Sequence, residues 1–269
     1  MGEIQAERLG RKEGRHLFGL DPSGYDAGRP DYPPWVYDRL TDHCGLVSGA
    51  RVVEVGPGTG IVTRRLLAAG ARVVAVEPDV GLAAHLRDAF PHEDLVILDS
   101  PFEDADLPPG SADLVVAATS FHWVEREPGM RKIGVVLRPG GHAALWWTLF
   151  FDRSRPDPFA EATAQLLPWI PADFAEPGRP EFQLDAEQRC ADLMNVAELV
   201  DVRAEIAHWG VTLTTQQLHD LYASMAVVRR RPPDEQASLL GELRRVADED
   251  FSGVVHRPFV TVLYTGRRP

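Results

Sequence analysis

Two hydrophobic periods alternate along the middle of this chain. Between Arg51 and Thr148, short runs of β-branched and aliphatic residues take turns with longer segments whose apolar positions recur every three to four residues. The short runs predict strands and the longer segments predict amphipathic helices. Strands are expected at Arg51–Val55, Arg72–Val76, Leu95–Leu98, Ala112–Ala118 and His142–Thr148. Helices are expected at Pro33–Leu46, at Thr59–Ala69 with Gly70 as a stop, at Asp79–Phe90 with Asp79 as N-cap, and at Trp123–Leu137. Strands alternating with helices in this way predict a parallel sheet with helices on both faces.

The pattern changes beyond residue 150. Residues 150–190 are rich in proline, aspartate and aromatics, with a helix expected at Pro158–Leu167, and this stretch reads as an insertion or lid. A strand follows at Val200–Leu213, with a break or bulge expected near Gly210. Helices at Thr215–Val228 and Asp234–Asp248 lead to a last strand at Val254–Thr265. The expected division is an arm and helix over 1–46, a core over 47–149, a lid over 150–199, and C-terminal strands and helices over 200–269 that complete a seven-stranded, mostly parallel sheet.

Composition narrows the function classes. The 269 residues are 44% hydrophobic and 25% charged, which is globular. The net charge of -12 argues against duplex nucleic acid, which needs a basic footprint, and against an anionic membrane surface. Cys44 and Cys190 form neither a disulfide framework nor a zinc ribbon, and they fit a reducing compartment. Met1–Arg15 lacks the apolar stretch of a signal peptide. The longest nearly apolar run, His142–Phe151, is shorter than the roughly 20 residues of a membrane span. A cytoplasmic protein is expected. The histidines show no metal-ligand spacing, so no metal is expected.

The chemistry concentrates in Glu54-Val-Gly56-Pro57-Gly58-Thr-Gly60, between the first strand and the helix after it. Glycines there let the backbone approach a ligand, and the helix start behind them offers N–H groups. Glu77 ends the second strand, 21 residues after Gly56, where a carboxylate can accept from two ribose hydroxyls. The third glycine comes two residues after the second and Ile61 follows it, so the dinucleotide fingerprint G-x-G-x-x-G is not matched.

The acidic-x-Gly-x-Gly-x-Gly order resembles the class I S-adenosylmethionine (SAM) methyltransferases. The resemblance extends to Ser100-Pro-Phe102-Glu103, Pro108-Pro-Gly-Ser-Ala-Asp-Leu114 and Leu137-Arg-Pro-Gly-Gly141. Phe121-His122-Trp123-Val124 looks like a signature of a small-molecule branch similar to the trans-aconitate methyltransferases. Upstream, Tyr25-Asp-Ala-Gly-Arg29-Pro-Asp-Tyr32-Pro33 is similar to that branch's segment that closes over SAM.

The resemblance implies a Rossmann-like sheet, SAM as cofactor and S-adenosylhomocysteine as product. It implies SAM contacts from Glu54, Gly56, Pro57, Gly58, Gly60, Glu77, Pro78, Ser100, Phe102 and Thr119, with Tyr25 and Arg29 from the arm. Tyr32, Trp123 and one of Trp146 and Trp147 would face the acceptor, the other tryptophan facing the core. His122 is the candidate general base, since an imidazole titrates near neutrality; packing against the helix start is its other reading. The expected activity is methyl transfer to oxygen, nitrogen or carbon of a small molecule, with a homodimer as a further expectation. A SAM-fold protein that binds SAM without methylating is the alternative. A nicotinamide dehydrogenase is disfavoured because Lys132 has no tyrosine four residues before it.

Overall fold

The structure is a computed structural model and describes residues 28–167 and 181–269. After helix α1 (Pro34–His43), strand β1 (Arg51–Val55) leads through the glycine turn to α2 (Ile61–Ala68). Then follow β2 (Arg72–Val76), α3 (Val80–Ala89), β3 (Leu95–Leu98), β4 (Ala112–Ala118), α4 (Arg126–Val136) and β5 (Leu137–Leu149). The C-terminal part comprises α5 (Pro158–Ala162), α6 (Ala186–Asn195), β6 (Val200–Thr214), α7 (Thr215–Ala223), α8 (Ala226–Arg229), α9 (Pro233–Phe251) and β7 (Val254–Arg267).

The seven strands form one sheet in the order β3-β2-β1-β4-β5-β7-β6. β1 to β5 pair in parallel, and β7 runs antiparallel to both β5 and β6. Strands with helices on both faces read as unbroken apolar runs. Successive side chains of β4 accordingly enter two separate cores: Val115 and Ala117 join one, Leu114 and Val116 the other. β5 divides in the same way, with Trp147 on the first side and Trp146 on the second. A third core, built on Phe159, Leu221, Leu243 and Phe259, lies among the C-terminal elements.

Several expected boundaries shift for identifiable reasons. α2 begins at Ile61 because its N-cap, Gly60, has φ 92° and still belongs to the turn. Asp79 caps α3 as expected, its carboxylate accepting the Leu82 N–H at 2.9 Å. The helix expected from Trp123 divides: Phe121–Trp123 is a single 3-10 turn, the chain extends through Val124 and Glu125, and α4 starts at Arg126. Asp157 caps a helix of only five residues, Pro158–Ala162. The segment expected as one helix over Thr215–Val228 is two, α7 and α8. β6 has its irregularity between Val200 and Arg203, whereas Gly210 stays in register opposite Pro258. A Cβ at Gly210 would lie 2.6 Å from the His256 ring, so glycine there permits a close approach and makes no bulge.

Candidate active site

The site forms at the carboxyl ends of β1, β2 and β4, where open α/β sheets bind ligands. Gly56, Gly58 and Gly60 all have positive φ. At Gly56 a Cβ would meet that of Ser120 at 2.7 Å, so only glycine lets β1 and β4 approach here. At Gly58 a Cβ would meet nothing within 4 Å. Glu77 locks the turn to the end of β2: its Oε2 accepts the Gly58 N–H at 3.1 Å and its Oε1 the Asp79 N–H at 3.0 Å.

Glu54 is 2% exposed and accepts the Thr63 hydroxyl at 2.7 Å. Burial pushes its carboxyl up to about 8, and the charge of Glu77 adds to the effect. Thr119, directly after β4, has φ 52°, an unusual value for a β-branched residue, and such conformations cost about 1–3 kcal/mol. Hydrogen bonds to β5 and to Tyr32 hold it there. Its N–H donates to the Trp146 carbonyl at 2.7 Å, and its Oγ1 accepts the Tyr32 hydroxyl at 3.1 Å.

These elements enclose a cavity of about 320 Å³. One part of its wall comes from the parallel strands: Glu54, Gly56, Pro57, Gly58, Glu77, Pro78, Leu82, Phe102 and Thr119. The rest comes from dispersed segments: Arg29, Tyr32, His122, Trp123, Phe150, Phe151, Met225 and Val227. The Arg29 guanidinium lies 4.6 Å from the centre of the Phe150 ring, and its Nε donates to Ser224 Oγ at 2.9 Å. His122 accepts at Nδ1 from the Trp147 indole N–H at 3.2 Å. Burial, reinforced by the Arg29 charge, pushes its imidazole down to about 4.

Four of the expected residues do not line the cavity. Gly60 stands behind the turn, where a Cβ would lie 2.3 Å from the Phe90 ring. Ser100 donates its hydroxyl to the Pro101 carbonyl. Trp146 and Trp147 are both core residues, 0% and 1% exposed, because both faces of β5 are covered. Tyr25 lies outside the described residues. The wall also includes residues that the sequence reading missed. Phe150 and Phe151 follow a strand at its carboxyl edge, which is a usable signal. Met225 and Val227 carry no local signal. Among the described residues no group of three or more His, Cys, Asp or Glu could hold a metal ion, and no helix is long and apolar enough to cross a membrane.

Residues 53–145 match a methyltransferase domain. An uncharacterized methyltransferase of Mycobacterium tuberculosis is 30% identical over 230 residues, which span 85% of this chain and 84% of that one. The chain belongs to the methyltransferases. It is a class I, SAM-dependent enzyme of that family. An uncharacterized methyltransferase of Schizosaccharomyces pombe is 28% identical over 233 residues, 85% of this chain and 86% of the relative.

Solved structures share the fold at lower identity. Haemonchus contortus phosphoethanolamine N-methyltransferase 2, in complex with phosphomonomethylethanolamine and S-adenosylhomocysteine, gives a TM-score of 0.57 at 12% identity, over 98% of this chain and 61% of that chain. The (4+2)-cyclase SpnF gives 0.57 at 14% identity, over 97% of each chain.

The cavity suits SAM. It offers a carboxylate for a ribose diol at Glu77, a backbone cradle at Gly58 with open space where a Cβ would project, and an apolar wall at Leu82 and Phe102 for a purine.

Proposed function

We propose that the enzyme methylates a small molecule at oxygen, nitrogen or carbon, and that it falls in the branch similar to the trans-aconitate methyltransferases. The observation that carries this reading is the mixed wall of the cavity, where a glycine turn and Glu77 share one space with Arg29, Tyr32, His122, Trp123 and Met225. A volume of about 320 Å³ falls within the range of small-molecule sites, which supports this reading.

In this reading Glu77 accepts from the ribose hydroxyls, the glycine backbone at Gly56 and Gly58 borders the methionine part, and Phe102 and Pro78 border the adenine. Residues 47–149 hold the cofactor. The described parts of the arm, of the segment after β5 and of the C-terminal helices contribute Arg29 and Tyr32, Phe150 and Phe151, and Met225 and Val227 to the same wall. Bound SAM supplies a methyl group on a sulfonium that is already a good leaving group. The chain therefore has to orient the acceptor and exclude water. Orientation alone can contribute roughly 7–11 kcal/mol to lowering a barrier. The Arg29 guanidinium supplies a positive charge to the wall, which favours an acceptor with an anionic group.

The test is to incubate the purified enzyme with SAM and panels of small carboxylic acids, phenols and amines, reading S-adenosylhomocysteine and methylated product by mass spectrometry. Turnover of one class supports the proposal. SAM binding without turnover across all panels would point to a protein that binds SAM for another purpose.

A further inference from the structure

Trp147 is 1% exposed, and its indole N–H can only donate. Its acceptor is Nδ1 of His122 at 3.2 Å. The ring is fixed by edge contacts with Tyr264, 6.1 Å away, and Phe182, 6.0 Å away. A buried donor without an acceptor is costly, so the Nδ1 lone pair has to remain available to it. A neutral imidazole carries a single N–H, and with Nδ1 accepting, that proton sits on Nε2. His122 lines the cavity, and among the described residues Nε2 meets no hydrogen-bond acceptor.

We propose that Trp147 is a positioning residue that fixes His122 in its Nε2–H form, so that His122 donates a hydrogen bond to the methyl acceptor instead of taking a proton from it. The proposal rests on the reading of the cavity as a small-molecule methylation site. Arg29 lines the same wall and its charge opposes an imidazolium, in agreement with the lowered imidazole pKa. The chemical consequence concerns the substrate. An imidazole whose cavity-side nitrogen already holds a proton cannot deprotonate a neutral alcohol. Among oxygen acceptors, the site then suits one that is already ionised. Its lone pair forms the new O–C bond, the electrons of the breaking C–S bond go to sulfur, and no proton has to leave.

The test is a long-range proton–nitrogen correlation spectrum of protein labelled with ¹⁵N-histidine, with the His122 signals assigned through His122→Gln. The expected spectrum shows Nε2 protonated and Nδ1 bare, unchanged between pH 8 and pH 6. Trp147→Phe keeps a ring but removes the N–H. It should shift His122 towards a mixture of the two neutral forms, while S-adenosylhomocysteine affinity by calorimetry stays within threefold. A wild-type spectrum with the proton on Nδ1, or with an imidazolium at pH 7, overturns the proposal. So does an unchanged His122 spectrum in a folded Trp147→Phe. If that variant does not fold, the wild-type spectrum alone decides. Absence of methyl transfer to every acceptor, with the expected spectrum intact, would refute the function and leave the Trp147–His122 relation standing.

Discussion

Glu77 and Gly58 hold each other: the carboxylate at the end of β2 accepts the amide hydrogen of the turn after β1 at 3.1 Å. The group proposed for the ribose is thereby fixed by the same loop proposed for the methionine part, and on that proposal one side chain serves both the shape of the site and its affinity.

Glu77→Ala should weaken S-adenosylhomocysteine binding about 10–100-fold, since hydrogen bonds to a charged group contribute about 1.5–3 kcal/mol. Calorimetry on the variant, with circular dichroism confirming a native fold, is the check. An unchanged Kd would remove Glu77 from the site.

Glu54 should make stability depend on pH. In the unfolded chain its proton leaves at about pH 4.3, and in the fold it is held up to about 8. Between those values the folded state binds more proton, so stability falls as pH rises and the loss is complete above pH 8. Glu54→Gln keeps an oxygen for the Thr63 hydroxyl and has no proton to release. Urea denaturation without ligand at pH 5 and pH 8 should show a smaller decline for the variant than for the wild type. Equal declines would mean that Glu54 ionises normally.

Two glycines of one turn should fail in different ways. Gly60→Ala places a Cβ 2.3 Å from the Phe90 ring at φ 92°, and should cost about 2–4 kcal/mol of stability from backbone and overpacking together. Gly58→Ala meets no neighbour, so its stability cost should stay near the backbone value of about 1–2 kcal/mol, while S-adenosylhomocysteine affinity drops more. Denaturation and calorimetry on both variants separate the effects. Equal stability losses would contradict the assignment.

Arg257 is 3% exposed and donates to Asp157 at 2.9 Å and to the Tyr222 hydroxyl at 2.8 Å. Removing one partner of a buried pair typically costs about 3–5 kcal/mol, so Arg257→Ala should lower the urea midpoint strongly. Replacing the charges together, as Arg257→Met with Asp157→Asn, keeps an oxygen to cap α5 and should recover part of the loss. A double variant less stable than Arg257→Ala would contradict this.

The sequence made β1 to β4 legible residue by residue, because each is a short run dominated by Val, Leu, Ile and Ala, and the first three stop at Gly56, Glu77 and Asp99. It also located Glu77 and the cap Asp79, whose positions follow from the strand before them. Trp146 and Trp147 defeated the same logic. Adjacent residues of a strand face opposite sides, but nothing local says that both sides of β5 are covered. Gly210 misled because a glycine within a strand signals a bulge and a close approach equally. Met225 and Val227 were illegible for a different reason. Their place in the wall depends on how the C-terminal helices fold back across the sheet, a long-range matter with no trace in their neighbours.

β6 and β7 span 15 and 14 residues, whereas β1 and β2 span five each. β5 meets β7 only from Val260 to Arg267, and beyond that point Val254–Phe259 pair with β6 alone. The hairpin is thus a cantilever. Its overhang, with α7 to α9 and their own core, brings Met225 and Val227 to the cavity without help from the strands that carry Gly56 and Glu77. Drift in the overhang can recut one wall of the cavity while the glycine turn stays fixed, so the two halves of the site are free to evolve at separate rates.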